Sequence, residues 1–341
     1  MSLCRPASWL IVGVFAFLLF AAPPAQSRRV PGPPETIDIL ARPIGSFLPQ
    51  DPDRRQFGAL EFRGGLELRS PHRDFGGLSG LVMDEDGEGF VAITDKSVWF
   101  AGRIRYRDRV PAGIDGGRLA PMLGPDGQPL AARRWYDTES LTRDGGTLYA
   151  GIERVHQVVR YDYGREGLGA RGVPLSLPAE IGKLPANKGL ECLAAVPRGM
   201  PLAGVLLAIS ERGLDADNNI RGFLIGDASP GSFSVRRSDD FDITDCAITP
   251  DADLIVLERR FSWARGVAMR MRRIALKDVA PGRLIDGPVL IEADMGYQID
   301  NMEGLGVHRD RSGQIVLTLV SDDNFSPLQR TIMLQFTILD R

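Results

Sequence analysis

Five short apolar runs recur along the chain: Phe90–Ile93, Leu148–Ala150, Val205–Ile209, Leu254–Leu257 and Ile315–Leu319. Each is too short for an ordinary helix and follows turn residues, so each predicts a strand. Every run stops at polar residues: Thr94-Asp95, Glu153-Arg154, Ser210-Glu211-Arg212, Glu258-Arg259-Arg260 and Ser321-Asp322-Asp323-Asn324. A third apolar stretch often follows, as at Gln157–Tyr161, Gly222–Ile225 and Thr331–Phe336.

A four-residue pattern precedes each run: Leu78-Ser79-Gly80-Leu81, Thr138-Glu139-Ser140-Leu141, Leu190-Glu191-Cys192-Leu193, Thr244-Asp245-Cys246-Ala247 and Met302-Glu303-Gly304-Leu305. Its second position steps by 60, 52, 54 and 58 residues, which makes a loose internal repeat. Regularly spaced short strands with turns between them predict an all-β fold, a β-propeller of five or six blades of antiparallel strands. The third position is always small, as expected where innermost strands converge on the axis. Antiparallel pairing puts the start of a blade's first strand and the end of its second at the same end. The motif acids and the polar run-ends are therefore expected around one mouth of the channel.

Three segments follow in order. Residues 1–27 read as a signal peptide: Arg5, an apolar run over Leu10–Ala22, and Ala25-Gln26-Ser27 as cleavage site. The apolar run is short for a bilayer span, so a periplasmic or secreted protein without stable membrane insertion after cleavage is expected. Residues 28–55 read as an extended N-terminal arm and 56–341 as the propeller domain. Only 38 residues follow Glu303, enough for three strands, so a strand within Phe57–Leu68 is expected to complete the last blade. A sixth blade without the motif would have to come from 28–75 or 101–133.

Acidic residues number 44 against 41 basic ones, which argues against a nucleic-acid partner. Lysine is confined to Lys96, Lys183, Lys188 and Lys277; the rest of the basic charge is arginine. Cys192 and Cys246 share the small-residue slot and read as its fillers, although an oxidising compartment permits a disulfide. The three tryptophans of the domain, Trp99, Trp135 and Trp263, are assigned to blade packing. His308 is expected on the far face. His156 is the one imidazole placed near the mouth. No Gly-x-Ser-x-Gly elbow, Walker loop or dinucleotide fingerprint is present.

The mouth is thus expected to collect Glu139, Glu191, Asp245, Glu258, Glu303, Asp322 and Asp323 with several arginines. Carboxylates so crowded repel unless arginine or a hard cation neutralises them, and calcium takes oxygen ligands. In this reading Glu139, Glu191, Glu303 and Asp322 are catalytic. Arg154, Arg212, Arg259, Arg330 and Asn324 hold a small anionic ester. Glu191, Glu303 and Asp323 are the candidate ligands for Ca2+.

At these residues the chain resembles the "esterase-like activity of phytase" family of exported bacterial proteins. The resemblance is carried by Phe75–Leu81, Asp137–Leu141, Asn187–Leu193, Leu257–Phe261, Asp300–Leu305 and Ser321–Phe325. It implies a propeller-like fold and hydrolysis of phosphate or carboxylic esters. The alternative is a non-catalytic propeller that binds a ligand or protein in the periplasm.

Overall fold

The computed structural model describes residues 32–226 and 230–339; the segment read as a leader, 1–27, lies outside the described residues. Among the described residues the chain forms five blades and no sixth, antiparallel except where Leu284–Ile285 adds in parallel to the outer edge of blade 3. Their innermost strands are Leu78–Met83, Thr138–Asp144, Leu190–Ala195, Asp242–Ile248 and Asn301–Arg309. Each packs against the next in chain order, and the fifth against the first, which closes the ring. Of residues 101–133, held open for a further blade, those up to Pro121 complete the long hairpin Val98–Arg107 and Val110–Pro121 of blade 1, and the rest form a connection with the single turn Leu130–Arg133.

Closure uses both ends of the domain. In blade 5, Leu60–Arg69 pairs along Thr331–Ile338, as the strand shortage after Glu303 requires. The arm adds to two blade edges: Leu40–Ile44 pairs with Leu60–Arg69, and Glu35–Thr36 with the last strand of blade 1. These additions cover backbone edges that would otherwise stand open to other chains.

Each seam between blades has its own fastening within the four-residue motif. A Cβ on Gly80 would meet the Leu141 backbone nitrogen at 3.0 Å, and one on Gly304 would meet Val320 at 2.5 Å and Gly80 at 3.3 Å. Blades 1, 2 and 5 can touch only because those Cβ atoms are missing. The Ser140 hydroxyl donates to the Leu190 carbonyl at 3.0 Å, and Thr244 to Met302 at 3.0 Å. Asp245 is fully buried and accepts the backbone N–H of Leu305 at 2.6 Å and of Cys246 at 2.7 Å. It staples blade 4 to blade 5 and does not belong to the mouth.

Blades 3 and 4 are joined covalently. Cys192 and Cys246 form a disulfide across 54 residues, with their Cα atoms 5.1 Å apart. The cysteines do more than fill a slot. Loop-closure entropy gives such a bridge up to about 4 kcal/mol. Reduction, or the double change of both cysteines to serine, is expected to lower the melting temperature by several degrees.

His308 is buried, and its Nδ1 has no partner among the described residues. Burial pushes its pKa down to about 4; Arg63 adds to this, while Asp310 and Asp86 oppose it. The unfolded chain protonates this ring near pH 6.5, the folded chain only near 4. Stability is therefore lost as pH falls between those values, by about 3 kcal/mol in all. Urea midpoints at pH 7.5 and 4 should show that loss, and His308→Leu should remove that share of the slope.

Candidate functional site

The inner strands share a local irregularity. In every blade the first pairing skips one inner-strand residue: Ser79, Glu139, Glu191, Thr244 and Glu303. A β-bulge of this kind re-aims the extra side chain out of the ladder. Blade 4 is displaced by one from the sequence alignment, since Thr244 and not Asp245 holds the bulge. The ring of bulges therefore carries three carboxylates and two hydroxyls.

A second ring lies beside it, at the ends of the second strands. The Asp95, Glu153 and Glu211 backbone N–H groups donate to the carbonyls of Gly77, Asp137 and Gly189 at 3.0, 2.8 and 2.8 Å. At the same level Arg259 pairs with Asp242, and Asp322 with Asn301. This ring thus reads Asp95, Glu153, Glu211, Arg259 and Asp322. Together the rings hold seven carboxylates against one arginine, with Lys188 reaching in to Glu211 at 2.5 Å.

Charge and burial both act on these groups. Glu191, Glu303, Glu153, Glu211 and Asp322 are buried, while Glu139 and Asp95 are half-buried. Burial holds the Glu139 carboxyl well above the usual range, and Glu303, Glu153, Asp322 and Asp95 raise it further. The same holds for Glu191, first through burial and then through Glu139, Glu211, Glu153 and Glu303. Asp322 is pushed up to about 8 by burial and by Glu303, against the Asn324 N–H that it accepts at 2.6 Å. Burial lifts Asp95 to about 6, and one of its oxygens is buried without a partner among the described residues.

Glu303 is raised by burial but relieved by Arg259 and Asn301. Arg259 is the hub. It donates to Asn301 Oδ1 at 2.8 Å, lies 3.6 Å from Glu303 and reaches Glu211 at 3.4 Å; Asn301 in turn donates to Glu303 at 2.9 Å. Glu153, Glu191 and Glu211 each offer a carboxylate oxygen, and the three lie within 4.8 Å of one another. That spacing, on hard oxygen donors, fits a calcium ion bonded at about 2.3–2.6 Å.

Glu139, Glu191, Glu303 and Asp322 are thus assembled in one place with Arg259. Several other expected members are not. Glu258 points to the opposite side of its strand, fully buried between Arg270 and Arg272. Asp323 spends its carboxylate on the N–H groups of Gly77 (2.9 Å) and Phe325 (3.0 Å) and on the Thr331 hydroxyl (2.8 Å). It clamps blade 5 to blade 1, and the converging acids are Glu153, Glu191 and Glu211 in place of Glu191, Glu303 and Asp323. Arg330 is engaged by Gln298 and by the Ile299 carbonyl, both at 2.9 Å. Asn324 is an exposed turn residue with a φ of 49°, and Arg154 lies at the rim over the Tyr136 ring at 4.4 Å. Arg212 lines a cavity of about 490 Å3 that shares Glu211 and Arg259 with the rings.

His156 follows the single turn Glu153–Val155, with its Nδ1 buried beside Gly189 and without a partner among the described residues. The larger cavity, about 550 Å3, lies at the other end between blades 2 and 3, where it meets Ala195 and Leu206, and holds none of these groups. Glu153, Glu211 and Asp95 were recognisable as the residues that end the apolar runs, the same signal that singled out Asp322.

Among the described residues no helix is long and apolar enough to cross a membrane. No curated protein matches the chain. Among solved structures it is similar to a PQQ-bound aldose sugar dehydrogenase from Streptomyces coelicolor, at 12% identity and TM-score 0.40, over 80% of this chain and 98% of that one. It is also similar to the α-L-arabinofuranosidase PaAbf62A from Podospora anserina, at 12% identity and TM-score 0.46, over 78% and 93% of the two chains. Likeness of this order carries no functional argument. The sequence pattern described as phytase-like, esterase-like activity of phytase, matches residues 73–325, from before the first inner strand to beyond the last ring acid. The chain therefore belongs to the phytase-like (esterase-like activity of phytase) family.

Proposed function

We propose that the protein is an exported, calcium-assisted ester hydrolase whose substrate is a small anionic ester, phosphoric or carboxylic. One observation carries this reading: seven carboxylates share two adjoining rings with a single arginine, and Lys188 and Lys96 approach only Glu211 and Asp95 at the edge. Such an excess of buried negative charge is costly for a fold unless a cation or a proton resides there. Glu153, Glu191 and Glu211 would hold the ion. Calcium bound there would draw electrons from the ester's oxygen and favour attack by water.

The remaining groups have work suited to their environments. Asp322, lifted to about 8, keeps a proton at neutral pH that a departing alkoxide can take. Glu139, half-buried in the same ring, would give up its raised proton to the field of a cation bound beside it and could then accept one from water. Arg259, fixed by Asn301 and Glu303, offers a cation to the charge that grows on the ester oxygen. The family assignment and the interblade disulfide support an exported hydrolase, since disulfides persist in oxidising compartments.

The test is turnover of p-nitrophenyl phosphate, phytate and short acyl p-nitrophenyl esters, with calcium and with chelator. Calcium-dependent release from at least one is expected. No turnover on any, together with a calcium-induced rise in melting temperature, would return the protein to a non-catalytic ligand-binding propeller.

A further inference from the structure

The rim of the mouth is uneven. The second strands of blades 1, 2 and 5 stop at Thr94, Ile152 and Asp322, level with the rings. In blade 4 the second strand continues past Arg259 to Ser262 and turns back at Gly266, so a hairpin stands above the rim. In blade 3 the second strand likewise runs on past Glu211 to Leu214. Between these raised walls lies the cavity of about 490 Å3 that opens off the rings.

The floor of this cavity is cationic and held in place. Asp242 is buried, and each of its oxygens takes one arginine: Oδ2 accepts Arg212 Nε at 2.8 Å, and Oδ1 accepts Arg237 Nε at 2.9 Å. One carboxylate thus sets two guanidinium groups side by side. Arg212 Nη1 and Arg237 Nη2 have no acceptor among the described residues. Asp240 also reaches Arg237 Nη1, at 3.4 Å from an exposed position. Over the whole lining Lys188, Arg212, Arg237 and Arg259 outnumber Glu211, Asp240 and Asp242 by one charge, with donors to spare, which suits an oxyanion.

The blade 4 hairpin supplies the second half. Phe261, 54% exposed, lines the cavity, and Trp263 is 96% exposed. Their rings lie edge to face, with centroids 5.3 Å apart at 73°. Trp263 was assigned to blade packing, yet no blade covers it. Two large aromatic rings left in water beside an arginine pair form a surface for a planar apolar group.

We infer that the mouth selects esters in which an aromatic group and an oxyanion lie within one small molecule, as in an aryl phosphate monoester, with the oxyanion on Arg212 and Arg237 and the ring on Phe261 and Trp263. This rests on the reading of the mouth as an ester site, and it names the substrate class for that site. Polyol phosphates, which have no flat apolar face, are the poorer ligands.

Binding tests it without requiring turnover. Calorimetric titration of the full chain with phenylphosphonate and with methylphosphonate should show phenylphosphonate at least about tenfold tighter, the gain of one well-placed aromatic contact. The double variant Phe261→Ala with Trp263→Ala alters only exposed hairpin positions, and it should bring the two affinities together. Equal affinities in the parent, no binding of either, or a preference that survives the double variant would overturn the inference. Phenylphosphonate preference without hydrolysis of any ester would overturn the hydrolase reading and leave the aromatic subsite standing. Hydrolysis without the preference would do the reverse.

Discussion

Glu191→Gln is expected to abolish the calcium response and to slow ester turnover on the order of 100-fold, the cost of one key electrostatic partner. The amide keeps the shape of the side chain but gives up one negative charge at the point where Glu153, Glu191 and Glu211 converge. In the parent, calcium at one hundred times its dissociation constant should add about 2.7 kcal/mol. For a domain of this size that is roughly 4 °C in melting temperature. The variant should show no such rise. In chelator it should melt at or above the parent temperature, because one charge has left a crowded buried set. A mutation that merely damaged the fold would lower the melting temperature in both conditions, so the opposite signs separate ligand loss from misfolding. A parent protein indifferent to calcium, or a variant that still responds, would count decisively against the ion site.

Glu258→Ala is expected to be the most destabilising single change in blade 4. The Glu258 carboxylate receives Arg270 through 2.8 and 3.3 Å contacts and Arg272 through 2.9 and 2.6 Å contacts, and all three side chains are buried. Removing it leaves two guanidinium groups facing one another in the interior, with Asp239, Asp286 and backbone carbonyls at their outer ends and the Phe241 ring 4.3 Å from Arg270. Breaking a buried charge set in this way costs about 3–5 kcal/mol. A urea series should show the fall in midpoint at unchanged slope. Replacing all three by Glu258→Leu, Arg270→Leu and Arg272→Met should recover most of the loss, since an apolar set of similar volume needs no compensation. If the single variant unfolds at the parent's midpoint, the triad has no stabilising role.

Glu258 also shows where sequence reasoning ends. Its neighbour Arg259 is in the ring and Glu258 is outside it, because successive strand residues face opposite sides. A run-end written as Glu-Arg-Arg does not say which residue is in register with the mouth, and one step reverses the answer. The fourth motif copy fails for the same reason. Thr244 takes the bulge, Asp245 turns inward to the Leu305 amide, and only the register of the strand pairing distinguishes them. The spacing of the five copies was legible because each opens an inner strand. The return of Leu60–Arg69 to the last blade was legible as a shortage of strands after Glu303. The second ring was written in the residues that end each apolar run, but Glu153 and Glu211 gain meaning only once their blades are adjacent. Nothing in the sequence distinguishes the exposed Trp263 from the buried Trp99; the height of one hairpin does.

The pairing of Leu60–Arg69 with Thr331–Ile338 also bears on how the chain is made. The first of these strands leaves the ribosome more than two hundred and fifty residues before its partner. Throughout synthesis it must wait with one backbone edge unsatisfied, and the first four blades accumulate as an open arc. The protein should therefore acquire protease resistance only after its last strand is released, in a single late step, whatever the order in which the earlier blades form.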